Sequence, residues 1–193
     1  TKTTQSILSA LGIQIDDSDI VTSELGCGGY VVGNGDLLLV SECVGDEPYL
    51  TEIKSKGYDV YVMPVPGDAI RGLGERMING HIDTEINVVV STKGDPLICV
   101  NGAYYSAFEG SVKKIEKTTG GIVHIIPEGS LEIQRRAVNF ITLPDGRVAI
   151  PSDCYQTGEF LRKHLGEDYV IELPVDPLYD YGPGGGLRCR SNI

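Results

Sequence analysis

The stretch Ile86-Asn87-Val88-Val89-Val90-Ser91-Thr92-Lys93-Gly94-Asp95-Pro96-Leu97-Ile98-Cys99-Val100 decides how this chain folds. Two apolar runs, Ile86 to Val90 and Leu97 to Val100, flank the turn residues Lys93-Gly94-Asp95, which is the pattern of a hairpin. Beyond it Phe108, Val112 and Ile115 fall on one face of a helix predicted near 106–118. Ile122 to Ile126 then reads as a closing strand. The order is strand, strand, helix, strand.

The same order recurs on either side. Upstream, Tyr30 to Val32 and Leu37 to Val40 flank Asn34-Gly35, among the strongest short hairpin signals. A helix near 47–56 follows, with Pro48 suited to its first turn and Leu50 and Ile53 facing inward. Gly57 stops it, and Asp59 to Val65 is the third strand. Downstream, Val138 to Leu143 and Val148 to Ile150 flank Pro144-Asp145-Gly146, ahead of a helix near 156–165 and a strand at Tyr169 to Leu173. Residues 1–12 read as a short helix ended by Gly12, and Ile13 to Ile15 as a strand, the back half of a further unit. One α/β domain of three and a half ββαβ units is predicted, divided roughly at 1–25, 26–80, 81–130 and 131–193. The period is about 50–60 residues. Such units set around an axis make an α/β propeller whose strand ends meet at a central pit. A two-layer α/β sandwich is the alternative.

Bulk composition narrows the function. The 193 residues carry a net charge of −11, and no basic stripe is available to neutralise phosphate, which excludes a nucleic-acid partner. No apolar run reaches the roughly 18–20 residues that span a bilayer, and no secretory signal is visible, so no membrane association is expected. The chain begins Thr1-Lys2, as a fragment or processed piece would. Its five cysteines (Cys27, Cys43, Cys99, Cys154 and Cys189) are odd in number and form no C-x-x-C pair. With only three histidines they predict no metal site, and they fit a reducing, cytoplasmic setting. Cys43, Cys99 and Cys154 lie in or beside apolar runs, where a thiol packs as a small hydrophobe. His124, in an apolar strand, and His164, on a helix, read as structural.

Two other stretches carry chemistry. In Gly184-Gly185-Gly186-Leu187-Arg188-Cys189-Arg190 the glycines, Gly186 among them, let the backbone approach a small ligand, and flanking arginines favour a Cys189 thiolate. In Asn79-Gly80-His81-Ile82-Asp83 the histidine and the aspartate, two residues apart, point to one side of an extended segment. Cys189 as nucleophile, His81 to move protons and Asp83 to hold a cation form a set that can attack a positively charged carbon. A packed Cys189, a strand-capping His81 and a turn-forming Asp83 are the plain structural readings.

Gly80-His81-Ile82-Asp83 resembles the His-x-Asp segment of the guanidine-modifying enzymes, the pentein or amidinotransferase superfamily. Gly184 to Cys189 resembles the glycine-rich segment carrying their nucleophile. Arg136-Ala137-Val138-Asn139-Phe140-Ile141-Thr142-Leu143 and Glu159-Phe160-Leu161-Arg162-Lys163 resemble the last propeller blade of arginine deiminases. The likeness implies a five-bladed pentein-type α/β propeller, incomplete in this chain. It also implies a cofactor-free hydrolase that acts on the guanidinium group of arginine or a relative through a covalent Cys189 intermediate. An amidinotransferase, or a non-catalytic binding protein of the same fold, is the alternative. The implied partner is a small guanidino substrate, and raw strand edges on an incomplete propeller would favour a homo-oligomer. The chain departs from the family at Gly26-Cys27-Gly28-Gly29-Tyr30, where members often carry Glu-Gly-Gly-Asp. Cys27 takes the position of that Glu and Tyr30 that of the Asp.

Overall fold

In a computed structural model the structure describes residues 28–44, 47–65, 81–143 and 145–174. Among these residues nine strands form three separate three-stranded sheets, each built from consecutive elements of one unit. The first contains β1 (Val31–Asn34), β2 (Leu37–Ser41) and β3 (Asp59–Met63), with helix α1 (Glu47–Ser55) between β2 and β3. The second contains β4 (Ile86–Val90), β5 (Pro96–Asn101) and β6 (Ile122–Ile126), with α2 (Gly102–Thr119) before β6. The third contains β7 (Ile141–Thr142), β8 (Val148–Pro151) and β9 (Val170–Leu173), with α4 (Tyr155–Leu165) before β9. In every sheet the first pair is antiparallel and the second parallel. A hairpin can join only antiparallel neighbours, so the parallel strand must return through a helix, which gives ββαβ three times. The predicted partial unit over 1–25 lies outside the described residues.

Each hairpin turn does what its glycine allows. Gly35 sits at φ 60° in the two-residue loop between Asn34 and Leu37, a conformation open to glycine. Asn34 itself belongs to β1, and its Oδ1 accepts from the N–H of Val90, 2.9 Å away on the second sheet. The hairpin signal thus also carries a link between sheets.

Strands β4 and β5 of the second sheet are buried on both faces. Val88, Ile98 and Val100 join one core with Val32, Leu39, Met63, Val112 and Ile115. Val89, Leu97 and Cys99 join another with Val138, Phe140, Val148, Ile150 and Leu161. Burial on both sides explains why β4 and β5 read as continuous apolar runs and not as alternation. At about 25 cal/mol per Å², burying one such side chain contributes roughly 1.5–3 kcal/mol.

Several elements differ from the sequence reading. Helix α2 starts at Gly102, four residues before the predicted 106, because the Asn101 side chain accepts from the N–H of Ala103 and caps it. A kink at Phe108 (φ −130°, ψ 33°) divides this early turn from the periodic stretch. Strand β7 is only Ile141–Thr142. The carbonyls of Val138 and Phe140 accept instead from the buried side-chain amide of Asn87, at 2.9 and 3.1 Å. A short helix, α3 (Leu131–Gln134), opens the third unit, capped by Ser130. Finally, Cys43 is exposed in the turn after β2 and not packed, whereas Cys99 and Cys154 are buried as predicted.

Candidate active site

The segments that enter the first strand of each unit meet one another. The carbonyl of Gly29, just before β1, accepts from the N–H groups of Ile82 (2.8 Å) and Asp83 (3.3 Å), just before β4. Asp83 in turn accepts, through its backbone oxygen and its Oδ2, from the side-chain amide of Asn139, just before β7, both at 3.0 Å. Three units therefore converge at one junction, and His81 and Asp83 stand in it.

Ile82 is fully buried in the core and fixes the segment between them. A tight turn follows, with the N–H groups of Glu85 and Ile86 both donating to the Ile82 carbonyl. Imidazole Nδ1 of His81 lies 3.9 Å from Oδ1 of Asp83; the histidine side chain is 30% exposed and the aspartate side chain 1%. One partner thus reaches solvent and the other is sealed beneath it. The His81 ring rests edge-on against Tyr30, centroids 4.8 Å apart at 61°. It also lies directly over Gly29, where any side-chain carbon would collide with Nδ1, Cγ and Cε1 of the imidazole. Glycine at 29 is a requirement of the histidine's position.

A buried carboxylate beside a half-open histidine can hold a planar cation while the imidazole exchanges protons with whatever sits above it. Cys189 and Gly186, the other two residues named from the sequence, lie outside the described residues, as do Cys27, Arg188 and Arg190. Among the described residues no group of three or more His, Cys, Asp or Glu side chains is placed to hold a metal ion. Nor is any helix among them long and apolar enough to cross a membrane.

Two of the remaining thiols are inert. Burial and the nearby Glu132 push the Cys99 thiol far above its ordinary range. Burial first, then Glu132, push Cys154 up to about 12. Neither forms a thiolate near neutral pH. Sequence reasoning passed over Asn139 as a site residue, although it lies within the stretch that resembles the family. Its partner is 56 residues away in the chain. Tyr30 reads from the sequence as the start of a strand and as a departure from the family pattern; its ring contact with His81 carries no local signal.

No protein-family model matches the sequence, and no curated protein does. Solved structures do resemble it. DDAH from Pseudomonas aeruginosa, a mutant complexed with citrulline, is 18% identical, with 75% of this chain and 47% of that one covered at a TM-score of 0.48. A dimethylarginine dimethylaminohydrolase adduct with S-methyl-L-thiocitrulline is 17% identical, with 87% and 57% covered at 0.51. The N-terminal domain of ArgZ, an arginine dihydrolase of cyanobacteria, bound to substrate, is 13% identical, with 89% and 62% covered at 0.44. The chain thus spans 47% and 57% of the length of the first two structures. Likeness to the second carries the fold alone, and that fold is the pentein fold that the motifs of this chain resemble.

Proposed function

We propose that the protein is a cofactor-free hydrolase of the guanidinium group of arginine or a related compound, working as part of a pentein-type α/β propeller in the cytoplasm. The observation that carries the reading is the His81–Asp83 pair, 3.9 Å apart, buried carboxylate beneath accessible imidazole, at the junction of three units. Asp83 binds the planar cation through charge-assisted hydrogen bonds. The Gly186 backbone lets the substrate approach Cys189.

The Cys189 thiolate adds to the guanidinium carbon and forms a C–S bond. Protonated His81 gives its proton to the departing nitrogen, the C–N bond breaks, and ammonia or an amine leaves a thiouronium on Cys189. Neutral His81 then takes a proton from water as the water oxygen attacks the same carbon. The C–S bond breaks, and the ureido product and the thiolate are released. An amine in place of that water would make the same site an amidinotransferase.

The test is incubation with arginine, agmatine, methylated arginines and peptidyl-arginine, with ureido product, ammonia and ornithine measured. Turnover that disappears in Cys189→Ala supports the reading. Silence on every substrate with the thiol intact overturns it and favours a binding protein of this fold, a reading to which Cys27 in place of the family's Glu lends weight.

A further inference from the structure

We propose that Asn139 is the positioning residue of Asp83, a role that rests on the cation-binding function assigned to Asp83 above. Its side-chain amide fixes Oδ2, so that Oδ1 stays on the His81 side of the carboxylate. The amide comes from the third unit and the carboxylate from the second. Asn139 is fully buried, and Nδ2 lies 3.0 Å from both the Asp83 backbone oxygen and Oδ2. Two acceptors of one residue, gripped by one amide, set both where the aspartate backbone lies and how its carboxylate is rotated. Oδ1 is then the oxygen that faces His81, at 3.9 Å from Nδ1.

The amide has little freedom to do otherwise. The N–H of Asn139 donates to the Arg136 carbonyl at 2.9 Å, closing a turn in which Arg136 takes φ 57°. The carbonyls on either side of it, at Val138 and Phe140, are both held by Asn87. Asn87 belongs to β4, the strand that Asp83 leads into. The second unit thus clamps the loop of the third, which in turn clamps the carboxylate of the second. A donor is required at 139. An aspartate there would set two carboxylates 3.0 Å apart with like charge.

A simple tie between two units is the competing account, and a double-mutant cycle separates them. Dissociation constants for arginine, agmatine and methylated arginines are measured by calorimetry for the wild type, Asn139→Ala, Asp83→Asn and the double variant. Positioning predicts that Asn139→Ala weakens binding about ten- to a hundred-fold, the scale of one hydrogen bond to a charged group. It raises KM more than it lowers kcat, because the carboxylate serves bound substrate and transition state alike. In the Asp83→Asn background the same change costs less than about two-fold. Equal losses in both backgrounds, with a lowered Tm and an unchanged KM, overturn the proposal. Should Asn139→Ala not fold, Asn139→Leu, which fills a similar volume without a donor or a charge, takes its place in the cycle. A wild type that binds none of the three ligands also overturns it. Coupled binding without any ureido product leaves the positioning role standing and removes only the hydrolase reading.

Discussion

Two arrangements of a buried carboxylate near a histidine stand among the described residues, and they are built differently. At the junction of the units, Asp83 faces His81 directly, and its other oxygen takes an amide from a separate unit. On the third unit, Glu132 of α3 accepts from the N–H groups of Gln156 and Thr157 and from the Thr157 hydroxyl at 2.6 Å. All three donors belong to the first turn of α4, whose N-cap residue, Cys154, contributes no side-chain hydrogen bond. Glu132 therefore supplies from outside the cap that the helix lacks, and its charge lies where the helix dipole favours it. His124 meets this carboxylate only through Thr157, whose Oγ1 lies 3.3 Å from Nε2. With the hydroxyl proton given to Glu132, the oxygen accepts from the imidazole. Burial of a carboxylate next to a histidine is not what marks a site. What sets the Asp83 pair apart is an amide drawn from a separate unit, with a ring left open to solvent.

Exchanging the two carboxylates for neutral groups should break the comparison cleanly. Asp83→Asn is expected to cost the largest effect, about 3–5 kcal/mol of substrate binding, on the order of 10³-fold in kcat/KM, with a small change in Tm. Glu132→Ala is expected to lose about 2–4 kcal/mol of stability, since three donors at a helix start lose their acceptor, with guanidino affinity unchanged. Thermal melts and steady-state kinetics on both variants read the two axes separately. A Glu132 variant that melts normally but loses affinity would show the parallel between the two sites to be false.

A smaller effect sharpens the same contrast from the histidine side. Gly29→Ala puts a methyl group into the His81 imidazole and must move the ring off Asp83. We expect about a ten-fold lower kcat from misplacement of the proton-transfer group, with affinity held within about two-fold. A drop in affinity alone would locate the damage in Asp83.

Much of this was readable from residues alone, and the limit falls at a definite place. The ββαβ repeat showed itself because the turn glycines at 35, 94 and 146 and the helix periodicity are local signals. Both the predicted 122–126 strand and the final helix, placed within one residue, follow from them. His81 and Asp83 were legible as a motif two residues apart. What stayed hidden depends on distant partners. Val138 to Phe140 looks like strand, but Asn87, about fifty residues upstream, takes its carbonyls and ends the ladder. Asn139 carries no local mark of the aspartate it holds. Glu132 looked like one acidic residue among many, and its value as a cap appears only when α4 is laid beside it.

The smallest expected effect concerns His124, the histidine of the structural arrangement. Its ring stacks on Phe160 at 4.6 Å and 12°, and the same phenylalanine meets His164 at 4.9 Å and 53°. Burial holds its pKa below the ordinary 6.5, against an opposing pull from Glu132. The folded protein therefore takes up this proton less readily than the unfolded chain, so unfolding is favoured as pH falls through about 6.5. The penalty stops growing once the pH drops below the folded value. Because the ring is only partly buried, the effect is small, about 2 °C in Tm between pH 7.5 and 5.5. His124→Gln keeps a donor for Thr157 and removes the titration, so its melting curve should lose this component. His81 offers the functional contrast, since His81→Gln is expected to abolish turnover. If His124→Gln keeps the full acid sensitivity of Tm, or abolishes turnover as His81→Gln does, the structural assignment of His124 is wrong.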